Sequence, residues 1–250
     1  MNGSTLSTEE AQVALQTVHR ELAAACESAQ RSADSVSLLA VSKTFPASHV
    51  LAMADNGQRA FGENYLQEAL AKQETIRNER PDLTLEWHFI GAIQSNKSRP
   101  VAEHFDWVHT VDRQKIAKRL NDQRPEKLRP LNVCIQVNID ASPTKAGCTP
   151  EQCKELAKAI SQMPRLSLRG LMAIPEPSDN QQEQEAPFAA LKALRDQLRS
   201  ELGIESASNG HLLDTLSMGM SADTTAAIAQ GSTMVRLGTA LFGQRANKSR

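Results

Sequence analysis

Apolar and polar residues alternate along the chain in two different rhythms. Ser7-Thr8-Glu9-Glu10 reads as a capping box, with Ser7 as N-cap and Glu10 reaching back to it. Behind it Ala11, Leu15, Val18, Leu22 and Ala25 recur at spacings of four and three, which predicts an amphipathic helix over about 7–31. From Val36 the rhythm changes. Val36-Ser-Leu-Leu-Ala-Val-Ser42 is a nearly continuous apolar run, the pattern of a strand covered on both faces. Comparable runs stand at 60–64, 85–91, 107–111, 131–139, 166–174, 215–220 and 234–243, making eight strands. Helical stretches are predicted from about Ala47 and near 65–78, 96–105, 113–122, 150–162, 184–201 and 223–230.

Strands alternating with helices form right-handed βαβ units around a parallel sheet. Eight of them suit a closed α/β barrel, a single (β/α)8 TIM barrel, better than an open sheet; a doubly wound sheet is the alternative, because periodicity does not say whether a sheet closes. No helix is predicted after the last strand, so the N-terminal helix is expected to fill the eighth outer position. The expected organisation is one domain over 1–250: the N-terminal helix, a barrel over about 36–243 and a short tail, 244–250. The polar, Pro-bounded stretch from Pro175 to Pro187 follows the sixth strand and is expected to be a mobile loop.

Composition narrows the partners. The chain has 250 residues, a length that one such barrel fills. Its 28 basic and 29 acidic side chains leave a formal charge of −1, so nothing draws it broadly to phosphate backbones or anionic lipid, and nucleic acid and membranes are not expected partners. The first twenty residues show no secretory signal, and no run approaches 18 apolar residues. Cys26, Cys134, Cys148 and Cys153 form no CxxC pair and read as free thiols, with Cys148 placed near the surface. His104 and His109 have no ligand spacing, so no metal is assigned. The expected protein is cytoplasmic and monomeric.

Barrel chemistry gathers at the C-terminal ends of the strands. Lys43 directly follows the first apolar run; there desolvation favours a neutral amine able to condense with an aldehyde, whereas a lone loop lysine is more often simply solvated. Arg236 is the one charge in the eighth run and shares a face with Met234 and Gly238. Such a guanidinium needs a partner, either an ion pair, for instance with Glu63, or an acceptor on a ligand. Gly238 and Thr239 leave room for phosphate oxygens, and Ser221 adds a hydroxyl just before a helix. An amine, an arginine and an anion cradle around one mouth suggest a phosphorylated aldehyde cofactor.

The motifs themselves resemble a known family. Ala40-Val41-Ser42-Lys43-Thr44, Phe61-Gly62-Glu63-Asn64-Tyr65, His88-Phe89-Ile90-Gly91, Gln94-Ser95-Asn96-Lys97, Arg169-Gly170-Leu171-Met172, Leu216-Ser217-Met218-Gly219-Met220-Ser221 and Val235-Arg236-Leu237-Gly238-Thr239 occur in order between about Leu39 and Gly243. They resemble the pyridoxal-phosphate homeostasis protein family. The resemblance implies a barrel of the alanine racemase N-terminal type binding pyridoxal 5′-phosphate (PLP), with Lys43 as the Schiff-base lysine and Asn64 beside the cofactor. It further implies phosphate contacts from Ser221, Gly238 and Thr239, a contact from Arg236 to the pyridine nitrogen, and a role in PLP homeostasis with PLP-dependent apo-enzymes as recipients. Ala92-Ile93 replaces a common Pro-Leu, and Ala222 and Thr225 stand where acidic residues are common.

Binding without turnover is the expectation. An arginine donates to the ring nitrogen without protonating it, which weakens the ring as an electron sink. Racemisation needs an acid/base group on each face of the substrate carbon; Tyr65 is assigned a packing or hydrogen-bonding role, and Lys145 is the best substitute although it reads more simply as a solvated loop lysine. A PLP-dependent amino-acid racemase or decarboxylase is the competing reading. His88 reads as a satisfied core histidine, and Asp112 as a helix N-cap.

Overall fold

The structure is a computed structural model that describes residues 6–204 and 212–244. Eight parallel strands close into a barrel in chain order: β1 (Ser37–Val41), β2 (Ala60–Glu63), β3 (Glu86–Phe89), β4 (Trp107–Val111), β5 (Leu131–Gln136), β6 (Leu166–Met172), β7 (Thr215–Ser217) and β8 (Met234–Leu237), with β8 pairing back to β1. The sheet closes rather than staying doubly wound. Of the expected tail 244–250, all but Gln244 lies outside the described residues.

Helices alternate with the strands: α1 (Thr8–Ser28), α2 (Ala47–Asp55), α3 (Leu66–Glu79), α4 (Ser98–His104), α5 (Gln114–Gln123), α6 (Pro150–Ile160), α7 (Gln181–Glu201), α8 (Thr224–Ala229) and α9 (Thr239–Phe242). The capping box at Ser7 and Glu10 forms as expected. Helix α1 packs against α2, α8 and α9 and so closes the outer layer between the last and first units. Its buried stripe, Ala11, Leu15, Val18, Leu22 and Cys26, joins the main hydrophobic core between helices and sheet.

Four expectations are corrected. A helix does follow the last strand: β8 ends at Leu237, and Gly238 opens the single turn α9. The apolar run 234–243 continues through that change, and a continuous run does not separate strand from helix. The stretch from Pro175 to Pro187 is a loop only as far as Asn180, whose side chain accepts from the N–H groups of Gln182 and Glu183 and starts α7. Pro187 lies inside that helix, where it removes one backbone bond. Burial of Phe188, Leu191, Leu194 and Leu198 outweighs that loss. Asp112 caps no helix; α5 begins at Gln114, and Asp112 pairs with Arg113 instead. Cys148 is buried and donates to Gln136 O at 3.4 Å. All four cysteines are free and buried.

Candidate functional site

A cavity of about 190 Å³ opens at the C-terminal end of the strands, and the six residues singled out in the sequence, Lys43, Asn64, Ser221, Arg236, Gly238 and Thr239, all line it. They come from the ends of β1, β2, β7 and β8. Val41, Ile90 and Met172 supply apolar wall. The site is thus an apolar slot with a few polar groups converging on it, the usual make-up of a small-molecule site.

On the β1–β2 side the backbone is held from beneath. Thr44, next to Lys43, has φ +70, in the left-handed region, and its N–H donates to Glu68 Oε1 at 2.5 Å. Lys72 of α3 is buried, donates to Ser42 O at 2.9 Å and to Glu68 Oε1 at 3.2 Å, and makes a short contact to Glu63 Oε1. Ser42 Oγ donates to the same Glu63 oxygen at 2.6 Å. Burial pushes the Glu63 carboxyl above its ordinary value, with Lys72 and Ser42 pulling it back. Glu63 therefore pairs with Lys72 and not with Arg236. Sequence reasoning missed Lys72, a polar residue in a helix whose depth depends on where Glu63 points. Asn64 follows Glu63, and its buried side-chain oxygen has no hydrogen-bond partner among the described residues. A Cβ on Gly91 would lie 2.1 Å from Asn64 O, so only glycine lets the ends of β2 and β3 approach this closely.

On the β7–β8 side Arg236 is buried; Nη1 donates to Ser217 Oγ at 2.8 Å and Nη2 to Ala173 O at 3.0 Å. Burial pulls the guanidinium down to about 10, Asp223 and Cys134 opposing, so it stays a cation at neutral pH. Gly219, with φ +100, turns the chain from β7 toward the exposed Ser221. Asp223 Oδ1 fixes that turn by accepting from Met220 N at 2.6 Å. Gly238 and Thr239 begin α9, whose first N–H groups have no partner inside the turn. Together these elements offer a primary amine, a fixed guanidinium and a set of hydroxyl and backbone donors suited to an anion.

Other sequence candidates lie elsewhere. Lys145 is half-buried, not a solvated loop residue: it donates to Ile174 O at 2.9 Å and pairs with Asp140 at 3.4 Å and Glu176 at 3.3 Å, tying the β5 and β6 loops together. Tyr65 heads α3 and is more than half exposed, which removes the packing role assigned to it. His88 is a satisfied core histidine, with partners at both ring nitrogens.

Comparison with known proteins places this architecture. The family profile described as the N-terminal domain of alanine racemase matches residues 19–246. The pyridoxal phosphate homeostasis protein of Pseudomonas aeruginosa is 56% identical over 221 residues, covering 88% of this chain and 90% of that protein. Its counterpart in Vibrio alginolyticus is 54% identical over 215 residues, 86% of this chain and 89% of that one. The solved structure of PipY from Synechococcus elongatus, with PLP bound, superimposes with a TM-score of 0.74 at 40% identity, covering 84% of this chain and 93% of that one. The chain belongs to the pyridoxal phosphate homeostasis protein family, built on the alanine racemase N-terminal barrel.

Proposed function

We propose that this protein holds pyridoxal 5′-phosphate as a Schiff base on Lys43 and serves the intracellular homeostasis and delivery of that cofactor, without turning a substrate over. The observation that carries the reading is the convergence of Lys43, Arg236, Ser221, Gly238 and Thr239 on one cavity. The residues present fit the group. The amine of Lys43 condenses with the aldehyde carbon, and the carbonyl oxygen leaves as water. Arg236 donates to the pyridine nitrogen, and Ser221 with the backbone of Gly238 and Thr239 takes the phosphate. The unpartnered oxygen of Asn64 gives an incoming donor a place to bind. When bound, PLP supplies an electrophilic aldehyde and a conjugated ring, and a guanidinium at the ring nitrogen keeps that ring a poor electron sink.

The engagement of Lys145 with Asp140 and Glu176, and the outward position of Tyr65, support binding over two-sided proton transfer. Borohydride reduction of PLP-loaded protein, followed by peptide mass mapping, tests the assignment: the visible absorbance is lost and the adduct lies on the peptide carrying Lys43. Lys43→Ala removes the adduct and keeps weaker, phosphate-driven binding. An adduct on Lys145 or Lys97, or none, overturns the reading. Loss of chirality or release of CO2 on incubation with amino acids overturns the absence of turnover.

A further inference from the structure

Branched apolar side chains ordinarily fill a barrel of this kind. Here a line of polar groups crosses the interior. Glu86, about half exposed at the N-terminal end of β3, has Oε1 2.8 Å from His88 Nε2. His88 Nδ1 is 2.9 Å from His109 Nε2, and His109 Nδ1 is 2.8 Å from Ser217 Oγ. Ser217 Oγ in turn accepts from Arg236 Nη1 at 2.8 Å. His88, His109 and Ser217 are fully buried. The Trp107 ring stacks on His88 at 5.3 Å with an interplanar angle of 7°, and Arg169 lies 4.6 Å above Trp107.

The two ends fix the direction of every bond. A guanidinium only donates and a carboxylate only accepts. Ser217 accepts from Arg236, and its own proton then goes to His109 Nδ1. That leaves the His109 proton on Nε2, donated to His88 Nδ1, and the His88 proton on Nε2, donated to Glu86. With the opposite tautomers, the lone pair of His88 Nε2 would face the carboxylate and the Ser217 proton would lose its acceptor. Burial holds His88 below the ordinary histidine value and His109 well below it, so both rings are neutral.

We propose that Glu86, His88, His109 and Ser217 form a positioning line for Arg236, with all protons directed from the guanidinium to the carboxylate. The line turns the guanidinium so that its remaining N–H groups serve the cavity, while Asp223 supplies the opposite charge that acts on the buried cation. What Arg236 then meets there, the cofactor ring, rests on the function proposed above.

The test has two arms. In ligand-free protein with 15N-labelled histidine, both rings are neutral and carry the proton on Nε2; an Nδ1–H tautomer or an imidazolium at either position near pH 7 overturns the polarity. In the second arm, PLP-loaded Ser217→Ala releases the cofactor about tenfold faster, the low end of what losing a hydrogen bond to a charged group costs. Its absorbance shifts while the borohydride adduct stays on Lys43. Glu86→Gln, altered only at the exposed end, shows a smaller change of a few-fold and a mixture of His109 tautomers; it carries this arm if Ser217→Ala misfolds. Parent-like spectra and release rates in folded variants overturn the proposal. Failure of the parent to form the adduct strikes the proposed function instead, and the ligand-free tautomers still decide the line.

Discussion

The two sides of the cavity are built on different electrostatics. Under Lys43 and Asn64, opposite charges touch: the Lys72 ammonium lies against Glu63 in a layer where both side chains are almost completely buried. Under Ser221 and Gly238, the buried cation Arg236 hydrogen-bonds, among the described residues, to the neutral groups Ser217 Oγ and Ala173 O; Asp223 acts on it from beyond contact, and the carboxylate that ends its hydrogen-bond line, Glu86, stands at the half-exposed far end. A contact ion pair in a buried layer fixes its neighbours by attraction and fails badly when one member is lost. A hydrogen-bonded line fixes them by direction, and each of its neutral members costs less to remove. The β1–β2 side should therefore be the brittle one.

The largest break comes from Lys72→Met. It leaves the fully buried Glu63 without its cation, and such losses cost about 3–5 kcal/mol. For a chain of this size that is roughly 6–20 °C in melting temperature. Lys72→Met with Glu63→Leu regains most of it, since an apolar pair leaves no stranded charge. Thermal melts of the single and double variants decide the point; a single-variant loss under about 1 kcal/mol would show that the pair contributes little.

A smaller break tests the fit of β2 to β3. In Gly91→Ala the new methyl must displace Asn64 O, a backbone atom that has no easy retreat. Overpacking of this sort costs about 1–3 kcal/mol. Because the displaced atom belongs to a cavity residue, cofactor retention should fall together with the denaturation midpoint. An unchanged midpoint in urea would mean that the two strand ends are looser than their contact distances imply.

The strand order and the mouth are legible in the sequence because each depends on local pattern. Apolar runs give the strands, and Lys43 and Arg236 stand out as charges beside or within such runs. The supports under them are not legible. Lys72 lies in a polar helical stretch, and only closure of the barrel puts its ammonium against Glu63, nine residues earlier. Glu86, His109 and Ser217 sit on three strands and meet across the interior, a relation that no spacing encodes. The misread boundaries have the same origin: Gly238 and Thr239 continue an apolar run into a helical turn, and Pro187 looks like a terminator until the packing of Phe188 and Leu191 is known.

Acid distinguishes the two sides most gently. His88 faces Glu86 on its own strand, with Asp106 and His109 opposite, while His109 faces His88 and Arg236. Burial lowers both rings below the ordinary value of about 6.5. Between that value and their folded values, the unfolded chain takes up protons that the folded chain refuses, so each ring makes stability fall as the pH drops. Glu63 leans the other way: with its carboxyl raised, the folded chain takes up the proton first, and its contribution makes stability rise on acidification. The net slope of the parent mixes both signs, but the difference between parent and His109→Asn isolates one ring. Urea midpoints measured from pH 7.5 to 5 should show the parent's advantage over that variant shrinking by up to about 1.4 kcal/mol for each pH unit below 6.5. An advantage that stays constant across the window would mean that His109 takes up a proton in the folded barrel as readily as in the unfolded chain, which its place between Ser217 and His88 does not allow.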